Sequence, residues 1–185
     1  MDVVDGGKMQ KIAVVGAHGV GKTRLCELLY QKCTELGTSC EYVKEVVREC
    51  PLPINDKQGI EATMWVLCRQ IQKELEAESR SPEIVVCDRS SYDPLVYLLA
   101  ANPEQLSQDL TCFCESWARS YDKLLLVRPS SKEIVADEFR AVEKEGQYVI
   151  NTIFTHWIVG RCRIIEADEI FGPGVDVLVK QILEV

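Results

Sequence analysis

The sequence predicts an α/β fold in which a five-stranded parallel sheet carries helices on both faces. Five short apolar runs alternate with segments of helical apolar spacing along the 185 residues, an order that builds parallel strands joined by crossover helices. The run at 83–88 is apolar between Glu83 and its final acid, as is typical of a strand buried on both faces. A glycine-rich segment separates the first run from the first helical segment.

The predicted elements alternate along the whole chain. The strands are 11–15, 40–45, 83–88, 123–127 and 162–166. The helices are 24–36, about 60–79, 94–101, 103–120, 149–158 and a final one after 174. The charged segment 131–142 is also predicted to be helical, and Gly146 is expected to interrupt it.

The composition limits the domain count and the partners. With 46% hydrophobic and 27% charged residues, we expect residues 1–185 to form a single domain with a flexible lead-in over 1–10. The lack of a bilayer-length apolar run and the net charge of −8 disfavour a membrane span and an extended nucleic-acid surface. Nine cysteines, among them Cys26, Cys33, Cys68 and Cys87, are expected to be reduced and buried. We therefore expect a cytoplasmic protein that acts on a small molecule, and a homodimer is left open.

The segment GAHGVGKT at 16–23 matches the phosphate-binding loop pattern G-x-x-x-x-G-K-[ST], between a strand and a helix. Its glycines permit backbone angles that turn successive N–H groups toward a polyphosphate. Lys22 is expected to reach the outer phosphates, and Thr23 to offer its hydroxyl to Mg²⁺. ATP and Mg²⁺ are therefore the expected cofactors. The residues predicted to bind the phosphates are Gly16, Ala17, His18, Gly19, Val20, Gly21, Lys22 and Thr23.

The segment DRSSYD at 88–93 follows the third predicted strand. Open α/β sheets bind ligands at the carboxyl ends of their strands, so this segment is expected at the site. Asp88 can accept a hydrogen bond from a substrate hydroxyl or hold Mg²⁺ through water, and Arg89 can reach phosphate oxygens. The alternative is a surface Asp-Arg pair that caps the next helix.

An acid-Arg-Ser element after the third strand resembles that of deoxynucleoside kinases and, as Asp-Arg, that of thymidylate kinases. With the phosphate-binding loop (P-loop), Glu45-x-x-Arg48 and VADEFR at 135–140, the arrangement is most similar to the nicotinamide riboside kinase domain and related small AAA-like ATPase/kinases. Glu138 departs from this pattern, because those kinases have glycine there. The resemblance spans essentially the whole chain. It implies a three-layer P-loop NTPase fold with a short helical lid at about 128–148.

The resemblance also implies roles for individual residues. Glu45 stands where nucleoside kinases have the base that acts on the attacking hydroxyl, and Arg140 lies in the lid-like segment as a cation for the moving phosphoryl group. With Lys22, Asp88 and Arg89 they form the predicted catalytic set. The alternatives are a solvated i,i+3 pair of Glu45 with Arg48, and an ordinary charged helix face around Arg140.

Trp65 and Gln70 correspond to an aromatic residue and a glutamine that contact the base in deoxynucleoside kinases. Core packing is the alternative for Trp65. The predicted substrate-binding residues are Glu45, Arg48, Trp65, Gln70, Asp88 and Arg89, and the predicted Mg²⁺ residues are Thr23 and Asp88.

The sequence therefore predicts a kinase that transfers a phosphoryl group from ATP to a nucleoside, a nucleoside monophosphate or a nicotinamide riboside-like acceptor. The alternative is a stand-alone NTPase that acts as a nucleotide-dependent switch on a protein partner. A GTPase is disfavoured, because the chain contains no Asn-Lys-x-Asp guanine-binding motif.

Overall fold

The fold is an α/β sandwich around one parallel sheet. The structure is a computed structural model that describes residues 8–129, 138–158 and 160–184, without the side chains of 138–144. Five strands are hydrogen-bonded in the order β2-β3-β1-β4-β5. The predicted fold class is therefore confirmed.

The strands are β1 (Gln10–Val15), β2 (Cys40–Val43), β3 (Ile84–Asp88), β4 (Lys123–Arg128) and β5 (Arg163–Glu166). The helices are α1 (Lys22–Leu36), α2 (Ile60–Glu78), α3 (Tyr92–Ala101), α4 (Gln108–Ala118), α5 (Glu138–Ile158), α6 (Ala167–Phe171) and α7 (Val175–Leu183). Within the described ranges, no helix is long and apolar enough to cross a membrane.

The strand order determines which helices share a face of the sheet. β1 lies at the centre, with Ala13 opposite Cys87 of β3 and Leu124 of β4. The chain moves from β1 to β2 in one direction and from β2 through β5 in the other, and right-handed crossovers in opposite directions lie on opposite faces. α1, with α7 packed against it, therefore covers one face, and α2, α3 and α5 cover the other.

The main core lies on both sides of β1 and β4. Leu25 and Leu29 of α1 and Phe154 and Ile158 of α5 are fully buried in this core. Burial of each such side chain contributes about 1.5–3 kcal/mol. A smaller apolar cluster joins α2, α3 and α4 and contains Leu67, Leu95, Leu98, Leu110 and Cys114.

Helix α5 differs from the prediction, because it runs unbroken through Gly146. The predicted interruption is wrong. One glycine inside a helix costs only about 1 kcal/mol relative to alanine, whereas Ile150, Phe154 and Ile158 are buried in the core. The predicted lid-like segment, 128–148, includes the first half of this helix, and its residues 130–137 lie outside the described part of the chain.

Other elements also depart from the prediction. β2 ends at Val43, two residues early. The helix predicted over 103–120 is a 3-10 turn followed by α4, because the side chain of Ser107 caps the new helix by accepting a hydrogen bond from the Leu110 N–H. The sequence pattern did not indicate α6, which is only five residues long.

All nine cysteines fall in the described ranges and are free thiols. Cys26, Cys33 and Cys87 are buried as expected, but the expectation of burial is wrong for Cys68 and Cys112. Both of these lie on solvent-facing positions of their helices.

Candidate active site

The P-loop leaves β1 and enters α1 at the carboxyl edge of the sheet. Gly16, Gly19 and Gly21 have φ angles of 141°, 74° and 100°, conformations that other residues rarely adopt. A β-carbon at Gly16 would collide with the backbone carbonyl of Val127 in β4. The loop therefore needs glycine here both for its conformation and for its close packing against the sheet.

Lys22 is buried at the start of α1, with only 5% of its surface exposed. Its Nζ donates a hydrogen bond to the Ala17 carbonyl oxygen at 2.6 Å. The pKa of Lys22 is lowered to about 8, mainly by burial and secondly by the positive charge of Arg89. The ammonium group thus lies where an added negative charge would stabilise it.

Thr23 and Asp88 join the P-loop to the end of β3. The Thr23 hydroxyl donates to Asp88 Oδ2 at 2.6 Å, and burial raises the pKa of Asp88 despite this bond. Asp88 Oδ1 is buried and has no hydrogen-bond partner among the described residues. An unpartnered carboxylate oxygen beside a hydroxyl fits the hard oxygen ligands that Mg²⁺ prefers. Thr23 and Asp88 are therefore the residues that would hold Mg²⁺.

Arg89 is buried beside Asp88, and its backbone φ of 91° is unusual for a residue with a side chain. Its Nε donates to Glu45 Oε1 at 2.6 Å, and its Nη1 donates to Asp93 Oδ1 at 3.2 Å. The guanidinium carbon also lies 5.5 Å from the ring centre of Tyr97. Burial acts to lower the pKa of Arg89, but the Asp93 charge and these other partners outweigh it and raise the pKa. The buried position excludes the surface-pair alternative for Asp88 and Arg89.

Glu45 lies just after β2 and faces Arg89. Its second carboxylate oxygen accepts a hydrogen bond from Arg48 Nε at 3.0 Å. Burial acts to raise the pKa of Glu45, but the Arg89 charge and hydrogen bond outweigh it and hold the pKa below its usual value. Glu45 is therefore ionised at neutral pH. The side chain of Arg48 is 85% exposed. The i,i+3 pair of Glu45 with Arg48 therefore exists, but it lies at the surface, whereas Arg89 contacts Glu45 from the buried side.

A cavity of about 500 Å³ lies between the P-loop, α3 and α5. The Tyr97 hydroxyl lies 3.4 Å from His18 Nδ1 at its edge, and Gln147 Nε2 of α5 donates to the His18 carbonyl at 2.9 Å. The lining residues are His18, Asn55, Asp56, Tyr97, Ala100, Ala101, Glu145, Gly146, Val149 and Ile150.

Among the described residues that line this cavity, His18 is the only predicted site residue. Gln70 is 1% exposed, and its amide donates to Glu74 and to the Arg89 carbonyl, so it supports the turn after β3 from behind. Trp65 is half-buried on α2. The backbone of Arg140 belongs to α5, but its side chain lies outside the described residues.

Three further residues lie at the site and were not predicted from the sequence. Asp93 accepts hydrogen bonds from the Ser90 N–H and hydroxyl as well as from Arg89, and the i,i+4 spacing to Arg89 was its only signal. Tyr97 carries no motif of its own. Phe171 ends α6, is 68% exposed, and places two ring carbons 3.0 and 3.1 Å from where a β-carbon of Gly21 would lie.

Comparisons with known proteins agree with this architecture. A family model described as an AAA domain matches residues 11–161, and no curated protein matches the chain. The chain is similar to thymidylate kinase from Ehrlichia chaffeensis, with a TM-score of 0.64 and 12% identity over 95% of this chain and 97% of that one. It is similar over the same shares to deoxyadenosine kinase from M. mycoides with bound dATP, with a TM-score of 0.58 and 19% identity. The chain therefore belongs to the AAA domain family and has the fold of these P-loop nucleotide kinases.

Proposed function

We propose that the protein transfers the terminal phosphoryl group of ATP to a hydroxyl group of a small, nucleoside-like acceptor. One juxtaposition carries this proposal. The order β2-β3-β1 places Glu45, then Asp88 and Arg89, then the P-loop along one edge of the sheet. An ionised acid, a buried cation and a phosphate-binding loop thus lie side by side.

The roles follow from the contacts. The P-loop N–H groups and Lys22 would bind the ATP phosphates, and Thr23 with Asp88 would hold Mg²⁺. When bound, Mg²⁺ supplies positive charge that neutralises the phosphate oxygens. Glu45 would accept the proton of the attacking hydroxyl, which contributes about 10²- to 10⁴-fold to the rate. Arg89 fixes the Glu45 carboxylate through its 2.6 Å bond.

The charges around the cavity favour a riboside over a monophosphate. Its described lining includes the carboxylates of Asp56 and Glu145 but no lysine or arginine. The buried guanidinium of Arg89 already pairs with Glu45 and Asp93. Against this described lining, a phosphate group on an acceptor bound in the cavity would meet two like charges, whereas an uncharged or cationic riboside would not.

The direct test is to incubate the purified chain with ATP and Mg²⁺ and a panel of nucleosides, their 5′-monophosphates and nicotinamide riboside. We expect mass spectrometry to detect a phosphorylated riboside and an equal amount of ADP. Glu45→Gln should lower kcat by about 10²- to 10⁴-fold. Glu49→Gln is the matched control, because Glu49 pairs with Arg69 at the surface. ADP without a modified acceptor would refute kinase activity, and a preference for monophosphates would refute the acceptor class.

A second candidate is a nucleotide-dependent switch that acts on a protein partner. The AAA domain match and Glu138, which replaces the glycine of the resembled kinases, favour it. This function predicts ATP hydrolysis whose rate no member of the acceptor panel changes. A rate that rises with acceptor concentration would contradict it.

A further inference from the structure

A buried ion pair joins the start of β1 to α2. Lys11 of β1 and Glu74 of α2 are 1% and 0% exposed, and Lys11 Nζ lies 2.7 Å from Glu74 Oε2. The same oxygen accepts a 2.8 Å hydrogen bond from Trp117 Nε1. Because desolvation offsets much of the attraction, such a pair adds little net stability. Its clearest consequence is that it fixes the Glu74 carboxylate in place.

The other Glu74 oxygen connects the ion pair to the turn after β3. Glu74 Oε1 accepts hydrogen bonds from the Tyr121 hydroxyl and from Gln70 Nε2, both at 2.9 Å. The Tyr121 hydroxyl in turn accepts from the Ser91 N–H at 3.0 Å, and Gln70 Nε2 also donates to the Arg89 carbonyl at 3.4 Å. Two short relays therefore run from one carboxylate oxygen to the backbone of residues 89–91.

The carboxylate sets the direction of both relays. A tyrosine hydroxyl has one proton, so when it donates to Glu74 its lone pairs must face the Ser91 N–H. The Gln70 amide has two protons, and with one directed to Glu74 the other points to the Arg89 carbonyl. Gln70 Oε1 has no hydrogen-bond partner within the described ranges, which indicates that this amide serves as a donor.

The backbone that these relays contact is strained. Arg89 has a φ of 91°, and a left-handed conformation of a non-glycine residue persists only where its surroundings hold it. That conformation directs the Arg89 guanidinium toward Glu45 and Asp93.

We propose that Glu74 is a positioning residue, which holds the turn at 89–91 through Tyr121 and Gln70 and so places the Arg89 guanidinium against Glu45. The effect on turnover rests on the proposed kinase function. The effect on the position of the Arg89 guanidinium does not depend on that function, so the two effects are measured separately.

The test compares Tyr121→Phe with Trp117→Phe in the full chain. Each variant removes one hydrogen-bond donor from Glu74, but only Tyr121 contacts the turn. The readout is the NMR signal of the Arg89 Nε–H, which is assigned by its loss in Arg89→Lys. In Tyr121→Phe we expect this proton to exchange with solvent about tenfold faster, and kcat to fall about tenfold with the KM for ATP unchanged. Trp117→Phe should lower the Tm but change neither quantity.

A second variant keeps the test decisive if Tyr121→Phe does not fold. Gln70→Met keeps the side-chain length, removes the other relay and should accelerate the same exchange. An unchanged Arg89 signal in every folded relay variant, or an equal change in Trp117→Phe, would overturn the proposal. If the wild-type chain transfers no phosphoryl group, the proposed function fails, and the exchange measurement still decides the role of Glu74.

Discussion

The hydroxyl of Thr23 donates a 2.6 Å hydrogen bond to Asp88 Oδ2, and this bond joins the P-loop to the neighbouring strand. The other Asp88 oxygen is buried and has no partner among the described residues. Because the two residues are 65 positions apart in the chain, this oxygen pair exists only in the folded protein.

Asp88→Asn should weaken the binding of ATP in the presence of Mg²⁺. Loss of a carboxylate that holds or orients a metal ligand costs about 10- to 100-fold in metal affinity. Calorimetric titration with ATP, with and without Mg²⁺, checks this, and the Mg²⁺-free affinity should change much less. Asp109→Asn, an exposed acid on α4, is the control. An equal loss with and without Mg²⁺ would contradict the metal role.

ATP binding should weaken as the pH rises above about 8. The pKa of Lys22 is lowered to about 8 by burial and by Arg89, and a bound polyphosphate raises it again. Binding above this pH therefore takes up a proton, and the Kd should rise up to about tenfold per pH unit. The guanidinium in Lys22→Arg stays charged over this range, so any ATP binding that this variant retains should show a Kd that does not change with pH. A flat wild-type profile between pH 8 and 10 would show that Lys22 does not titrate there.

At position 89, glycine should be less destabilising than alanine. Both substitutions remove the guanidinium, but only glycine adopts a φ of 91° without strain. The free energy of unfolding, measured by urea denaturation, should therefore be about 1 kcal/mol higher for Arg89→Gly than for Arg89→Ala. At Arg69, inside α2, the Ala variant should instead have the higher free energy of unfolding, by about 1 kcal/mol, because glycine disfavours a helix. The same order at both positions would refute the strain at Arg89.

Phe171→Ala should weaken ATP binding without affecting the binding of inorganic triphosphate. The exposed ring lies against Gly21 at the start of α1, and stacking of an aromatic ring on a base contributes about 1–3 kcal/mol. Phe113→Ala removes an exposed ring of similar size from α4 and should change neither affinity. An equal loss for ATP and triphosphate in Phe171→Ala would mean that the ring shapes the P-loop and does not contact the base.

The sequence by itself determined the P-loop and the alternation of strands and helices. Both depend on neighbours in the chain, because glycine spacing, apolar periodicity and turn residues act locally. The motif at 88–93 was also visible, since it directly follows a buried run.

Only the tertiary structure decided how these pieces meet. The strand order β2-β3-β1 brings Glu45 to Arg89 and Thr23 to Asp88 across 44 and 65 positions, and no local pattern encodes that order. The continuity of α5 through Gly146 has the same origin, because burial of its distant apolar residues outweighs a local preference. In the sequence, Glu74 likewise has no feature that distinguishes it from other helix residues. It is connected to the Arg89 turn only because α2 packs against β3.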